Sequence, residues 1–328
     1  MDHTKETETS PLSSLSLSRL EANIPEESKK LFEACVNEGF FYLDLRDHKQ
    51  LLSDYEALLE IMKSYFGQSL DQKMKDDRKS DTVGYEPVAT SAGAVDGLPD
   101  YYESFKVSWD QLRNGDQDMS TIVQENIDVF DRFTKCAHSL LLMILYRLSD
   151  TMGYDGNRRF EASHKDGTVT RTNLTFLKYP KQNTVEHGVG HNRHTDIGTL
   201  TFLLSGQRGL QRLTSEGWYD VEPRSGFAVV NVGDSLRFLS DCMFSSIIHR
   251  VLPVGSHQTE DRYTLAYFLR PEDEAVFKDF HGNLISAKSW HDRKFDHFRE
   301  SHDQQKKESI LTGGMEGNQK FLQSKIQA

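Results

Sequence analysis

The stretch 194–204 reads His-Thr-Asp-Ile-Gly-Thr-Leu-Thr-Phe-Leu-Leu, joining a polar triplet to an apolar run. Residues 199–204 are rich in β-branched and large apolar side chains, which is typical of a buried strand. Successive side chains of an extended chain point to opposite faces, so His194 and Asp196 share one face. The stretch therefore predicts a β scaffold that holds an imidazole beside a carboxylate.

Comparable short runs recur between residues 172 and 271, separated by turn residues. The clearest are 218–221, 227–231 and 262–269. About eight strands at this spacing are typical of a sandwich or barrel with Greek-key connections. This part of the chain predicts a β core.

Helical periodicity dominates before residue 150. A helix is predicted from Pro25 to Gly39, followed by a short buried strand at 40–43. Apolar side chains then recur every three or four residues over 51–65 and 122–148, which predicts two more helices.

Residues 68–118 contain glycine and proline breakers and little periodicity, which predicts a loop that either covers a site or only connects two elements. The chain as a whole divides into four parts. These are a mobile N-terminal arm at 1–22, a mainly helical region at 23–150, a β core at 151–275 and a helical C-terminal segment at 276–328.

The composition excludes several classes of protein. Lys and Arg total 39 against 50 Asp and Glu, giving a net charge of −11 without a basic block, so a nucleic-acid binder is disfavoured. Three widely spaced cysteines make no disulfide framework and fit a reducing compartment. The first twenty residues lack a signal sequence, and the apolar run 140–146 is far shorter than the ~20 residues of a membrane span. We expect a cytoplasmic protein without membrane or nucleic-acid partners.

A third candidate ligand for a metal is His249, which lies in an apolar β-like run 53 residues beyond Asp196. Two imidazoles and one carboxylate on a rigid scaffold form the facial triad of non-haem iron(II), which leaves open positions for other ligands. Either histidine alone is more often structural. A zinc hydrolase using His187, His191 and His194 is an alternative, although the local glycines disfavour a zinc-binding helix.

Arg262 and Thr264 also share one strand face. A guanidinium beside a hydroxyl suits a carboxylate, because the planar fork donates two parallel hydrogen bonds. The two residues therefore predict a site for an organic acid.

The order His-Thr-Asp, His-Arg-Val and Arg-Tyr-Thr resembles the 2-oxoglutarate- and iron(II)-dependent dioxygenases of the isopenicillin N synthase-like superfamily. The strand ending in Tyr179-Pro180, the hairpin at 209–218, the turn at 231–234 and the segment 25–75 extend the resemblance over residues 23–300. It implies an α+β fold with a double-stranded β-helix, or jelly-roll, core flanked by N-terminal and C-terminal helices.

The resemblance also implies the site. Fe(II) would be held by the catalytic residues His194, Asp196 and His249, and the co-substrate 2-oxoglutarate by Arg262, Thr264 and Tyr179. Thr264 replaces the family's usual serine and keeps the hydroxyl, whereas Leu177 replaces an asparagine that many members carry.

With dioxygen as oxidant, such an enzyme hydroxylates, desaturates or rearranges a small, mainly apolar organic metabolite. The pattern is most similar to fungal members that act in secondary-metabolite biosynthesis. A non-catalytic binding protein or partner subunit with the same fold is the alternative, and the oligomeric state stays open. Aromatic residues of the loop region and one beyond the turn at 231–234 are the candidate substrate contacts: Tyr85, Tyr101, Tyr102, Phe105 and Phe244.

Overall fold

The computed structural model describes residues 8–9, 11–183, 190–255 and 257–318. Its helices are α1 Leu17–Glu21, α2 Pro25–Asn37, α3 Lys49–Phe66, α4 Leu70–Lys73, α5 Trp109–Asn114, α6 Thr121–Glu125, α7 Ile127–Thr151, α8 Asp234–Leu239, α9 Ala287–Arg299 and α10 His302–Gln305. Its strands are β1 Ser14–Ser16, β2 Phe40–Asp44, β3 Gly84–Glu86, β4 Glu103–Ser108, β5 Asn173–Tyr179, β6 His191–His194, β7 Leu200–Leu204, β8 Leu210–Thr214, β9 Gly217–Asp220, β10 Phe227–Val232, β11 His249–Val251, β12 Arg262–Leu269, β13 Val276–Lys278 and β14 Leu284–Ser286.

Twelve of these fourteen strands form a large and a small sheet, and β13 and β14 pair with each other. The large sheet has the order β1-β2-β10-β7-β12-β5-β4-β3, and the small sheet has the order β6-β11-β8-β9. All pairs in these sheets are antiparallel except β1 with β2. The inner face of the large sheet packs on the small sheet, as Phe40, Tyr42 and Val229 share a core cluster with Leu210 and Val251. The predicted α+β fold with a jelly-roll core is confirmed.

Helices cover the outer face of the large sheet. Alternation along β2 sends Phe41 and Leu43 toward the helices, whereas Phe40 and Tyr42 face the small sheet. The apolar stripe of α7 belongs to the same outer core. The helices predicted at 25–39 and 51–65 are confirmed as α2 and α3, and the one predicted at 122–148 is divided at Asn126 into α6 and α7.

The prediction of a mobile arm at 1–22 is wrong for residues 11–22. Strand β1 pairs with β2, and Leu15, Leu17 and Leu20 are buried in the core. The apolar positions are too few to show a period, yet each side chain is large enough to anchor the segment. The other proposed boundaries, at 150 and 275, stay predictions.

The prediction of a loop over 68–118 is also incomplete. Strands β3 and β4 extend the large sheet beside β5. The outward side chains of β3 and β4 are apolar and belong to the core under the helices, whereas Glu86, Ser104 and Lys106 face inward. Because of these polar side chains, the sequence of the two strands lacks the composition of a buried strand. The C-terminal segment likewise begins with the hairpin β13–β14 before its helices. Among the described residues, no helix combines the length and apolar character needed to cross a membrane.

Candidate active site

Two neighbouring strands of the small sheet bring the predicted metal ligands together. His194 on β6 and His249 on β11 are register partners, and Asp196 follows β6 by two residues. The Nε2 atom of each histidine lies 3.6 Å from Oδ1 of Asp196. The three ligand atoms all lie within 4.8 Å of one another, and all three residues are buried.

Backbone carbonyls fix the orientation of both imidazoles. Nδ1 of His194 lies 2.7 Å from the carbonyl oxygen of Asn192, and Nδ1 of His249 lies 3.0 Å from that of Ile247. A carbonyl only accepts, so Nδ1 donates in each case, and in the neutral ring that binds a metal Nε2 then carries the lone pair. Both lone pairs are therefore available to one cation.

Asp196 is oriented by the large sheet. Its Oδ2 accepts hydrogen bonds from Thr201 on β7 at 2.6 Å and from Asn231 on β10 at 2.7 Å, which leaves Oδ1 toward the imidazoles. Burial alone raises the pKa of this carboxyl, but the adjacent imidazoles of His249 and His194 outweigh burial and hold the pKa well below its usual value. The donor set is thus two imidazole nitrogens and one carboxylate oxygen.

This donor set fits a ferrous ion. With bonds of about 2.1 Å, two donors on one ion lie about 3–4 Å apart, which matches the separations between Asp196 and the histidines. Two imidazoles and one carboxylate from one side leave the cavity side open, which is typical of non-haem iron and unlike a closed structural zinc site.

Arg262 lies on the inner face of β12, opposite the small sheet, and its side chain is almost fully buried. Its Nε donates to the carbonyl of Arg208 at 2.9 Å and its Nη1 to Oγ1 of Thr264 at 2.8 Å. Its guanidinium carbon lies 5.0 Å from the ring centre of Tyr179. No carboxylate of the described ranges lies within salt-bridge distance of it, so this buried cation and its hydroxyl neighbour fit an organic acid.

A cavity of about 720 Å³, counted with its open mouth, lies between the sheets and has His194 and Asp196 in its wall. Strands β4 and β5 contribute polar side chains to it, and α9 contributes Phe295 and Phe298. The segment 68–118 also contributes Asp81, Ser91 and Tyr102 to the wall, so it lines the cavity and does more than connect two elements.

The predicted substrate contacts are only partly brought to this cavity. Tyr102 lines it and stacks on His191, with ring centroids 4.6 Å apart. Tyr101 lines a small pocket beside Tyr179 instead. The remaining three aromatics are buried in the outer core away from the cavity: Tyr85, Phe105 and Phe244. Tyr85 and Phe105 have the strand parity that faces the helices.

Several site residues escape sequence reasoning. Thr201 and Asn231 orient Asp196, and Lys106 and Arg270 line the cavity. Strand alternation predicts the position of Thr201. Leu200 and Phe202 point into the outer core, so the side chain of Thr201 between them points to the opposite, inner face. Of the three histidines in the zinc alternative, His187 lies outside the described residues. His191 does not belong to the cluster of ligand atoms formed by His194, Asp196 and His249.

Two family models match the chain. The model of the 2OG-Fe(II) oxygenase superfamily matches residues 167–271, and a model described as non-haem dioxygenase in morphine synthesis N-terminal matches residues 11–126. The first contains β5 to β12 and with them the metal-ligand cluster.

Two curated relatives match most or all of the chain. The chain is 76% identical to the 2-oxoglutarate-dependent dioxygenase gloE of Glarea lozoyensis, over 100% of both chains. It is 49% identical to the 2-oxoglutarate-dependent dioxygenase frbH of Dothideomycetidae sp., over 93% of this chain and 96% of the relative.

Solved structures share the fold at low identity. JOX2, solved in complex with 2OG, Fe and JA, superposes with a TM-score of 0.70 at 22% identity, over 90% of this chain and 87% of that chain. Neurospora crassa T7H in complex with alpha-KG gives a TM-score of 0.69 at 19% identity, over 89% and 99%.

Proposed function

This chain belongs to the 2OG-Fe(II) oxygenase superfamily as a 2-oxoglutarate-dependent dioxygenase, and from that premise we propose which residues do the work. His194, Asp196 and His249 hold Fe(II), and Arg262, Thr264 and Tyr179 hold 2-oxoglutarate. The primary substrate is a small organic metabolite of secondary metabolism that enters the cavity between the sheets.

The main support is the position of the metal-ligand cluster relative to the buried Arg262. A three-donor cluster on the small sheet faces the same interior as a buried guanidinium on β12 that has no carboxylate partner among the described residues. A protein that only bound a ligand would have no need for both an open metal site and an acid anchor. Nothing in the relatives or the geometry favours the non-catalytic alternative.

Bound Fe(II) and 2-oxoglutarate supply the oxidising chemistry, in which dioxygen converts the 2-oxo acid to succinate and carbon dioxide. The chain's own residues bind and orient. Arg262 and Thr264 fix the far carboxylate of 2-oxoglutarate, and the Tyr179 ring closes over the guanidinium. Thr201 and Asn231 keep one oxygen of Asp196 directed at the metal position.

The cavity walls complete the site. Phe298 packs against the His194 ring, with centroids 5.4 Å apart, and Tyr102 covers His191, so aromatic rings exclude water around the metal position. The wall also carries Lys106, Arg270 and Arg299, so the substrate combines an apolar body with polar groups. We place the enzyme in the cytoplasm, without membrane or nucleic-acid partners.

The test is formation of succinate from 2-oxoglutarate by the Fe(II)-loaded enzyme with ascorbate, with and without a panel of candidate metabolites. We expect slow turnover alone and faster turnover with a true substrate. An absence of decarboxylation under every condition would contradict the proposal.

Arg262→Gln tests the co-substrate site. One charge-assisted contact contributes about 1.5–3 kcal/mol, so we expect the 2-oxoglutarate dissociation constant to rise about 10- to 150-fold. Arg193→Gln is the matched control, because Arg193 is half-exposed and pairs with Glu316 at 3.0 Å. An unchanged dissociation constant in Arg262→Gln would move the co-substrate elsewhere.

A further inference from the structure

Strand β12 carries a second buried arginine along its inner face. Alternation from Arg262 through Thr264 and Phe268 continues to Arg270, directly after the strand ends. Eight residues of extended chain separate the two arginines by about 26 Å, so they lie at opposite ends of the strand. Arg262 serves the co-substrate, whereas Arg270 lies in the cavity wall without an assigned binding partner.

Arg270 is 6% exposed and lines the cavity that His194 and Asp196 line. Its Nη1 donates to the backbone carbonyl of Arg171. Its Nε is buried without a hydrogen-bond partner in the described parts of the chain. No carboxylate in those parts lies within salt-bridge distance of its guanidinium.

The other two cations of the cavity wall are already paired. Nζ of Lys106 lies 2.6 Å from Oε2 of Glu86. Arg299 pairs with Asp81. Among the described residues lining the cavity, Arg270 is therefore the one Lys or Arg side chain without a carboxylate partner.

An unpaired buried cation is costly, because its lost hydration is not replaced. A single anion entering the cavity would replace the lost hydration of Arg270. The Nε–H group, which lacks a partner, belongs to the planar edge of the guanidinium that donates hydrogen bonds to a carboxylate. The surroundings suit an apolar body, since Phe268 lies under the guanidinium at 5.1 Å and Phe295 and Phe298 line the wall. One uncompensated positive charge favours a monoanion over a doubly charged phosphate monoester.

We propose that Arg270 binds a carboxylate of the primary substrate, so that the enzyme selects organic acids with an apolar body. Arg262 and Arg270 then hold two different acids at the two ends of β12, with the metal ligands between them. This inference rests on the proposed function and specifies its substrate class.

The test is anaerobic calorimetry on the enzyme loaded with Fe(II) and 2-oxoglutarate. The probes are 3-phenylpropanoate and 4-phenylbutanoate, their carboxamides, and phenyl phosphate. We expect at least one acid to bind about tenfold tighter than its amide, as one charge-assisted hydrogen-bonded contact implies. Arg270→Gln should remove this preference and leave the 2-oxoglutarate dissociation constant within about twofold of the wild type.

Two further variants keep the test decisive. Arg270→Lys keeps the charge without the fork and should retain part of the preference. Arg193→Gln, which changes a half-exposed cation outside the cavity wall that is paired with Glu316, should retain all of it.

Three results would overturn the inference. The first is that neither acid binds the wild type, or that the affinity ratio of acid to amide is the same in Arg270→Gln as in the wild type. The second is a loss of 2-oxoglutarate affinity in Arg270→Gln as large as that in Arg262→Gln. The third is that phenyl phosphate binds more tightly than either acid and that its binding depends on Arg270. Failure of the proposed function would look different, because the wild type would then not bind 2-oxoglutarate.

Discussion

The two oxygens of Asp196 have different partners, and this difference defines the metal position. Oδ2 is occupied by Thr201 and Asn231, so Oδ1 alone faces the imidazoles. Partners of this kind set the direction of a ligand without touching the ion. The sequence places Asn231 in a recognisable turn but gives no sign of its contact with Asp196, because the two residues are 35 positions apart in the chain.

Asn231→Ala should therefore weaken Fe(II) binding while keeping all three ligands. We expect the Fe(II) dissociation constant to rise about 10- to 100-fold, as for other residues that orient metal ligands. Anaerobic titration of Fe(II) measures it, and Asn126→Ala, a change near the start of α7 far along the chain, serves as the control. Unchanged affinity would show that Thr201 alone orients the carboxylate.

Asp100, a fully buried carboxyl that accepts hydrogen bonds from the backbone N–H groups of Thr90 and Ser91, provides a pH-dependent test. Burial, helped by the negative charge of Glu86, raises the pKa of Asp100 to about 7. The folded state then holds a proton that the unfolded state has released above its ordinary pKa of 3.8. The stabilising contribution is present at low pH and is lost as pH rises through about 7.

Asp100→Asn should remove this loss. As pH rises from about 4 to about 7, the unfolding free energy of the variant should increase relative to that of the wild type, by at most about 1.4 kcal/mol per pH unit. Urea titration at each pH measures both values. A pH-independent difference would contradict the raised pKa.

At the scale of elements, helix α9 is tied to the metal site by one buried cation. Nζ of Lys294 lies 2.6 Å from Oγ1 of Thr195 and also contacts Asp234 at the start of α8. Thr195 lies between His194 and Asp196 in the sequence. Lys294 and Asp234 are both fully buried, so the contact holds the C-terminal helix against the strand that carries His194.

Lys294→Met should leave Asp234 as an uncompensated buried charge and destabilise the fold by about 3–5 kcal/mol. Denaturant unfolding measures the loss. Lys288→Met on the same helix is the matched control, since its pair with Asp292 is exposed and contributes about 0.5 kcal/mol or less. The double variant Lys294→Met with Asp234→Leu should recover much of the loss, and an equal loss in the double variant would contradict the ion-pair explanation.

The elements that sequence could predict are those whose pattern is local. The apolar stripe of α7 predicts a helix and the apolar run of β7 predicts a strand. The order of the motifs around His194, His249 and Arg262 predicts the metal and co-substrate site. Strand β4 was missed because its inward side chains, Ser104 and Lys106, line a polar cavity rather than a core. Three of the five predicted substrate contacts, Tyr85, Phe105 and Phe244, lie in the outer core, because aromatic content does not tell which side chains are turned toward the cavity.

At the scale of the whole molecule, function depends on two sheets that face each other. The small sheet supplies His194 and His249, while the large sheet supplies the residues that orient Asp196 and the arginines at both ends of β12. Neither sheet contains a complete site. We propose that the two substrates meet the metal position in the cavity between them.

The most direct test of this account is the Fe(II) stoichiometry of two histidine variants under anaerobic conditions. His191 stacks on His194 with ring centroids 4.3 Å apart but is not one of the three clustered ligands, so it is a matched control for His249. We predict one tightly bound Fe(II) per chain in the wild type and in His191→Ala, and its loss in His249→Ala. Retention of Fe(II) by His249→Ala together with its loss in His191→Ala would contradict the account.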